Sequence, residues 1–366
     1  MRFPEFSGEW KLHATTDYFE FKNGLNPEAK RFGLGTKFIS VMDILNNRYI
    51  TYDKVIASVL PKDDDLKEFG VNYGDILFQR SSETLEDVGR ANVYLDDKTA
   101  LFGGFVIRGK KIGNYNPLFF RYLLSSPNAR KSIIVKGAGA QHFNISQDGL
   151  SKVLLNVPSI QEQEKISQFI NYIDERIDTQ SKIIEQLQSL IKGIVVSITA
   201  ETPNTRIDKC LVCHSTTLQE NQIEDFGDFP VYGANGVCGY TVNADFNEPA
   251  ILIVKDGSGV GNVRFVNGKF SVIGTQNILT PQNKFFLKYI FYCLQAFNFV
   301  PYKTGMAIPH IYFKDYGKAK IYYPNFEQQV KIASQIDLIE SKIEIETQLL
   351  NKYEEQKKFL LSNMFI

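Results

Sequence analysis

The chain has 366 residues, 43% of them hydrophobic, and its 41 Lys and Arg are balanced by 41 Asp and Glu. That length suits two ordinary domains plus connecting elements, and zero net charge lacks the strongly basic signature of a lone, tight nucleic-acid binder. The opening MRFPEFSGEW has no apolar signal core, no run of 18 residues is uninterruptedly apolar, and four cysteines fit a reducing compartment, so a cytoplasmic protein without a membrane partner is expected.

Taken in chain order, residues 76–78 and 105–107 are apolar runs bounded by Gly and read as strands. Residues 118–124 read as a short helix, and residues 153–157 as a last strand leading to Pro158. From there Ile166, Ile170, Ile173, Ile177, Gln180, Ile184, Leu187, Ile191, Ile194 and Ile198 keep strict 3–4 spacing, the seam of a long heptad helix with one polar interruption. After it, residues 251–254 and 272–273 read as strands, 285–294 as a helix and 319–322 as a last strand before Pro324. A second heptad helix follows on Ile332, Ile336, Ile339, Ile343, Glu346, Leu350 and Tyr353. Phe (28) and Tyr (18) are abundant, which suits sheet domains with aromatic cores.

The order of these elements is a duplication. PSIQEQEKI at 158–166 falls on PNFEQQVKI at 324–332, and the register continues without a gap: Ile170 on Ile336, Ile177 on Ile343, Gln180 on Glu346, Ile184 on Leu350. Lys357 falls on Ile191, so the second seam is weaker toward its end. The globular parts repeat more loosely: GDILFQR with PAILIVK, VGRANV with VGNVRFV, LFFRYLL with FFLKYIF, and GAGAQHFNISQDGLSKVLLNVP with TGMAIPHIYFKDYGKAKIYYP. The expected organisation is a globular domain at 1–156, a helix at 157–199, a globular domain at 200–322 and a helix at 323–366. Each domain is mixed α/β (α+β), and the helices pair as an antiparallel coiled coil with an internal pseudo-two-fold. A helix of roughly 40 residues is about 60 Å long. Gln180 and Glu346, near the middle of the seams, are placed to fix register.

These motifs resemble the Type I restriction–modification specificity subunit family, over essentially the whole chain. The residues that carry the resemblance are the opening RFPEFSGEW, GDILFQRSSETLEDVGRA followed by FGGFVIR, FPVYGANGVCGY, ILIVKDGSGVGNVRF with TQNILTP, and the junctions NVPSIQEQEKI and YYPNFEQQVKI. The resemblance implies a non-catalytic subunit whose two globular parts are target-recognition domains, each reading one half of a split, asymmetric double-stranded DNA site. It implies that the helices act as spacer and dock two adenine-methylating modification subunits, with restriction subunits joining. It implies no cofactor for this chain, S-adenosylmethionine belonging to the modification subunit. The competing reading is a protein-interaction scaffold with two binding domains on a coiled-coil spacer.

Candidate DNA contacts lie in the loops after the GDIL-like strands: Arg80, Ser81, Ser82 and Arg90 in the first domain, and Lys255, Ser258 and Arg264 in the second. Arginine suits bidentate contact with guanine, and lysine or serine suits phosphate. Tyr232 and Asn235 in VYGANG, and Gln276 and Asn277 in TQN, are offered for their amides and ring. Lys37 sits in the comparable early segment. Lys136, Gln141, Lys303 and His310 flank the Gly-containing turn before each last strand.

Other motifs do not fit chemistry as well. DGSGVG at 256–261 lacks both GxGxxG spacing and a Lys-Ser/Thr pair, so nucleotide binding is not expected. NPLF at 116–119 lacks the second Pro of an adenine-methylase tetrad and reads as a turn. Cys210, Cys213 and His214 match a CxxCH pattern, open to incidental cysteines, structural zinc or haem. The four His show no HExxH or triad context, so neither catalysis nor a bound metal is expected.

Overall fold

A computed structural model describes residues 1–139, 142–282, 285–305 and 308–365. The chain divides into two compact units, Met1–Thr179 with Leu349–Ile366, and Gln180–Gln348. The division cuts through two long helices, Ile160–Ala200 and Phe326–Asn363, so each unit holds one globular domain and a stretch of both helices.

The first unit is built on a four-stranded antiparallel sheet in the order Phe19–Asn23, Val106–Lys111, Ile76–Gln79, Ala91–Val93. Ile76–Phe78 is an unbroken apolar run because both faces of this strand are dry. Ile76 and Phe78 enter a core with Phe119, Phe120 and Tyr122, while Leu77 enters a second core with Ile39, Val71 and Phe102. The second core belongs to another sheet, in which Phe32–Ile39 runs parallel to Ala100–Phe102. Helix Pro117–Ser125 starts at Asn116, whose side chain accepts from the Phe119 N–H at 2.9 Å, with Pro117 in the first turn. NPLF is therefore a helix cap rather than a free turn. Lys11–Ala14 pairs antiparallel with Leu154–Val157, which leads into Pro158 and the long helix.

The second unit repeats this topology. Its four-stranded sheet runs Leu211–His214, Gln276–Pro281, Ala250–Val254, Val263–Val266, and Thr205–Arg206 pairs with Lys320–Ile321 before the second long helix. A parallel pair recurs as well, Phe229–Gly233 with Ser271–Val272. The short helix begins at Leu287, later than the sequence pattern suggests, and the last strand shrinks to Lys320–Ile321.

Within each unit the two helices run antiparallel. In the first, Asp174 bonds Lys357 at 2.6 Å, while Ile166 and Ile170 share a core with Leu360 and Met364. In the second, Gln180 meets Glu346, while Val195 and Ile198 share a core with Ala333 and Ile336. Every seam position named above is buried or half-buried. The repeated entry turn has a repeated bond: the side-chain amide of Gln163 donates to the Pro158 carbonyl at 3.0 Å, and that of Gln329 to Pro324 at 2.6 Å. This ties each proline to the first turn that follows it. Off the seam, Leu190, Val196, Leu338 and Ile345 are exposed.

The first long helix is long and apolar enough, by length and composition alone, to cross a membrane, a test that the core helix of a helix pair passes equally.

Candidate nucleic-acid interface

In the first unit the chain leaves the sheet at Arg80 and is clamped at once. The Arg80 N–H donates to Phe105 O at 2.9 Å, and its carbonyl accepts from the Ile145 N–H at 3.0 Å. Ser81–Ser82 then pairs antiparallel with Phe143–Asn144. The loop after the strand and the Gly-rich turn before the last strand are thus one structure. A groove of about 480 Å³ opens on it, lined by Arg80, Lys136, Asn144, Gln147, Asn23 and Asp148. Arg80 Nη1 reaches Gly104 O at 3.2 Å, which steadies the guanidinium at the groove. Two cations and several amides around one concave surface suit a phosphate backbone and base edges.

The other candidates described in this domain do not line the groove. Ser81 spends its hydroxyl on Asn144, and Ser82 accepts from the Thr84 N–H at 3.3 Å. Arg90 pairs with Asp87 at 2.6 Å and lines a different cavity from Arg80. Lys37 is half-buried on Phe32–Ile39, opposite Ser58, and does not line the groove. Gln141 lies outside the described residues. Asn144 was not singled out from sequence, and its only signal was adjacency to the Gly-rich turn.

The second unit has the same clamp with different side chains. Lys255 donates its N–H to Thr275 O and accepts from the Ile311 N–H, each at 2.9 Å. The Asp256 carboxylate faces His310 Nδ1 at 2.8 Å, and Gly257 N–H donates to Pro309 O at 3.1 Å. Gly257 stands at φ +94°, a conformation L side chains rarely adopt. Ser258 and Lys303 are exposed beside this junction. A second group gathers at the hairpin Phe229–Gly233/Gly236–Thr241. Arg264 lies 6.0 Å from the Tyr232 ring centroid, and a Cβ on Gly236 would meet its Nη1 at 3.2 Å. Asn235 is exposed at the hairpin tip.

Gln276 and Asn277 are corrections. Their strand lies inside the four-stranded sheet with both faces covered: Ile278 packs in one core and Leu279 in the other. Gln276 therefore donates inward to Tyr232 O at 3.1 Å, and Asn277 to the Tyr316 hydroxyl at 2.9 Å. Both amides hold the fold, and neither is offered to a ligand.

Cys210 is buried and Cys213 half-buried, and burial pushes their thiols up to about 12 and about 11. Among the described residues no group of three or more His, Cys, Asp and Glu is placed to hold a metal ion.

Comparison with known proteins bears on these surfaces. A family model for the Type I restriction modification DNA specificity domain matches residues 7–189 and again 211–355. The EcoKI Type I restriction enzyme specificity subunit of Escherichia coli K12 is 24% identical over 202 residues, 54% of this chain and 43% of that protein. The chain thus spans less than half the length of that relative. The putative type I restriction enzyme MjaX specificity subunit of Methanocaldococcus jannaschii is 22% identical over 409 residues, 98% of this chain and 93% of that protein. The solved S subunit of a Type I restriction–modification system from M. genitalium shares the fold at TM-score 0.62 and 17% identity, covering 100% of this chain and 99% of that one.

Proposed function

We propose, from the premise that this chain belongs to the Type I restriction modification DNA specificity family, that it is the non-catalytic DNA-specificity subunit of such a complex. Each globular domain reads one half of a bipartite, asymmetric double-stranded site. One observation carries the reading: both units clamp the loop after the central strand to the turn before the last strand, but with different side chains. Ser81, Asn144, Arg80 and Lys136 stand at the first junction, and Asp256, His310 and Lys255 at the second. An equivalent frame with unlike residues suits two half-sites of unlike sequence. The long helices carry exposed Leu190, Val196, Leu338 and Ile345 outside their buried seam. Exposed apolar side chains of this kind suit a docked partner, here two adenine-methyltransferase modification subunits, with restriction subunits joining the complex. S-adenosylmethionine belongs to the modification subunit and not to this chain.

The test is co-purification with an adenine-methyltransferase partner, followed by methylation of random-sequence duplex and sequencing of the modified adenines. A two-part motif with an unread gap is expected. Methylation with no sequence preference, or failure to bind duplex even with the partner, overturns the reading.

A further inference from the structure

In the first unit an exposed aromatic ring stands where the chain leaves the sheet. Gln79 and Val106 are the last ladder pair of the strands Ile76–Gln79 and Val106–Lys111. One step further Arg80 lies opposite Phe105, its N–H donating to Phe105 O at 2.9 Å. Opposite residues of an antiparallel pair carry their side chains on one face, about 5 Å apart at Cβ. Phe105 belongs to a turn closed by the Val106 N–H on Gly103 O at 2.9 Å, and Arg80 Nη1 reaches the Gly104 carbonyl of the same turn. The Phe105 side chain is 69% exposed and, among the described residues, joins none of the apolar cores of its unit. Single exposed apolar side chains are ordinary; this one is fixed beside the arginine that lines the groove.

The second unit repeats the turn bond for bond. Val254 and Gln276 are the corresponding ladder pair, the Lys255 N–H donates to Thr275 O at 2.9 Å, and the Gln276 N–H closes the turn on Ile273 O at 3.3 Å. The two turns are entered alike, with the Gly103 N–H on Ile39 O and the Ile273 N–H on Tyr232 O, each at 3.0 Å. The backbone frame is kept and the pair carried on it differs: Arg80 with Phe105 in one unit, Lys255 with half-buried Thr275 in the other.

We propose that Phe105 is a specificity-determining residue that packs on the 5-methyl group of a thymine, in the base pair next to the one read by Arg80. The proposal rests on the DNA reading above. An arginine that reads guanine does so from the major groove, where thymine presents its methyl and a Phe ring is an apolar partner for it. Successive base pairs are about 3.4 Å apart, near enough to the cross-strand side-chain spacing for the two side chains to meet neighbouring pairs. Thr275 offers no ring, so the half-site of the second unit lacks this contact.

The test uses the full chain with its methyltransferase partner, on the site found by sequencing the modified adenines. Each thymine of that site is replaced in turn by uracil, which removes the methyl and keeps the base pairing. For the wild type, one uracil next to the guanine whose preference is lost in Arg80→Ala is expected to weaken binding about fourfold, the factor for one buried methyl-sized group. Phe105→Ala is expected to weaken binding to the unsubstituted site about tenfold, to be indifferent to that uracil, and to keep its preference at the other half-site. Its Tm should stay near the wild-type value, since the ring is at the surface. Phe105→Leu, which keeps an apolar side chain, should retain part of the uracil sensitivity. The proposal is overturned by the absence of a thymine beside that guanine, by unchanged affinity of Phe105→Ala, or by equal uracil penalties in Phe105→Ala and wild type. Weakened assembly with the partner at unchanged base preference also overturns it, because the ring would then face protein. All of these results leave the DNA reading standing, whereas a wild-type complex without any base preference removes that reading and this proposal with it.

Discussion

Gln180 on the first long helix donates its side-chain amide to Glu346 on the second, both to the carboxylate and, at 3.1 Å, to the backbone carbonyl. These are the residues that interrupt the two heptad seams at equivalent positions, and both are buried. A polar pair in an apolar seam specifies register, because sliding either helix leaves a buried donor or charge unmatched. Gln180→Leu is therefore expected to lower Tm by about a few degrees, and the double change Gln180→Leu with Glu346→Leu to recover or exceed the wild-type value. Thermal unfolding of the two variants checks this. An additive loss in the double variant would show that the pair has no coupling.

The same carboxylate sets a pH dependence. The Lys342 ammonium first, and the Gln180 amide second, hold Glu346 below the usual carboxylate range. A group whose folded value is depressed contributes stability above its unfolded value and loses it as pH falls through the folded one. Tm should thus drop on acidification through and below the ordinary carboxylate range. Glu346→Gln should flatten that part of the curve and leave the neutral part little changed in slope.

A tyrosine–carboxylate contact ties each domain to the helices of its own unit. The Tyr122 hydroxyl donates to Asp174 at 2.7 Å, both being buried, and Asp174 is also paired with Lys357. In the second unit the Tyr292 hydroxyl donates to Asp337 at 2.6 Å and to Glu340 at 3.0 Å, beside Lys288. Removing a buried hydroxyl from an ionised acceptor costs about 1.5–3 kcal/mol, so Tyr122→Phe should destabilise by that order. Tyr292→Phe should cost less, since side-chain exposures of 48% and 41% let water replace the lost donor at Asp337 and Glu340. Urea unfolding of the two variants ranks them. An equal loss would mean that burial does not control the contact.

The repeat was legible because it rests on periodicity, and periodicity survives loop divergence. The seam residues Ile166 to Ile198 needed no topology to be found. Strand order was not legible, since hydrogen-bond partners such as Gln276–Pro281 and Ala250–Val254 are set by the fold. Asn277 misled for a related reason: a polar residue at a strand start reads as exposed, and only a sheet covered on both faces turns it toward Tyr316. Tyr122 reads as an ordinary core aromatic in LFFRYLL until Asp174, far away in sequence, is seen beneath it.

The cysteines give a labelling pattern. Cys238 is exposed, whereas Cys210 and Cys293 are buried, with thiols pushed up to about 12 by burial. Thiolate is the reacting form, so access and pKa act in the same direction. A disulfide-exchange reagent at neutral pH should label Cys238 first and Cys213 slowly. Cys210 and Cys293 should react only on unfolding. Fast labelling of Cys210 would show that the strand Leu211–His214 opens in the native state.

Arg80 and Arg264 stand in different units, each at the surface assigned to one half-site. A bidentate arginine–guanine contact discriminates by about 1–3 kcal/mol, so Arg80→Ala should relax one half of the methylated motif by roughly ten- to a hundredfold and leave the other half intact. Arg264→Ala should do the reverse. Lys136 lines the Arg80 groove as an exposed ammonium suited to phosphate. Its replacement by Ala should weaken binding uniformly across sequences and lower the salt slope by about 1. Motif sequencing and salt-dependent binding with the modification partner separate these outcomes. If Arg80→Ala weakened assembly with the partner while motif preference in the remaining complex stayed intact, the groove would face protein and not DNA. In that case Lys136→Ala would leave the salt slope unmoved, a second and independent sign of the same error.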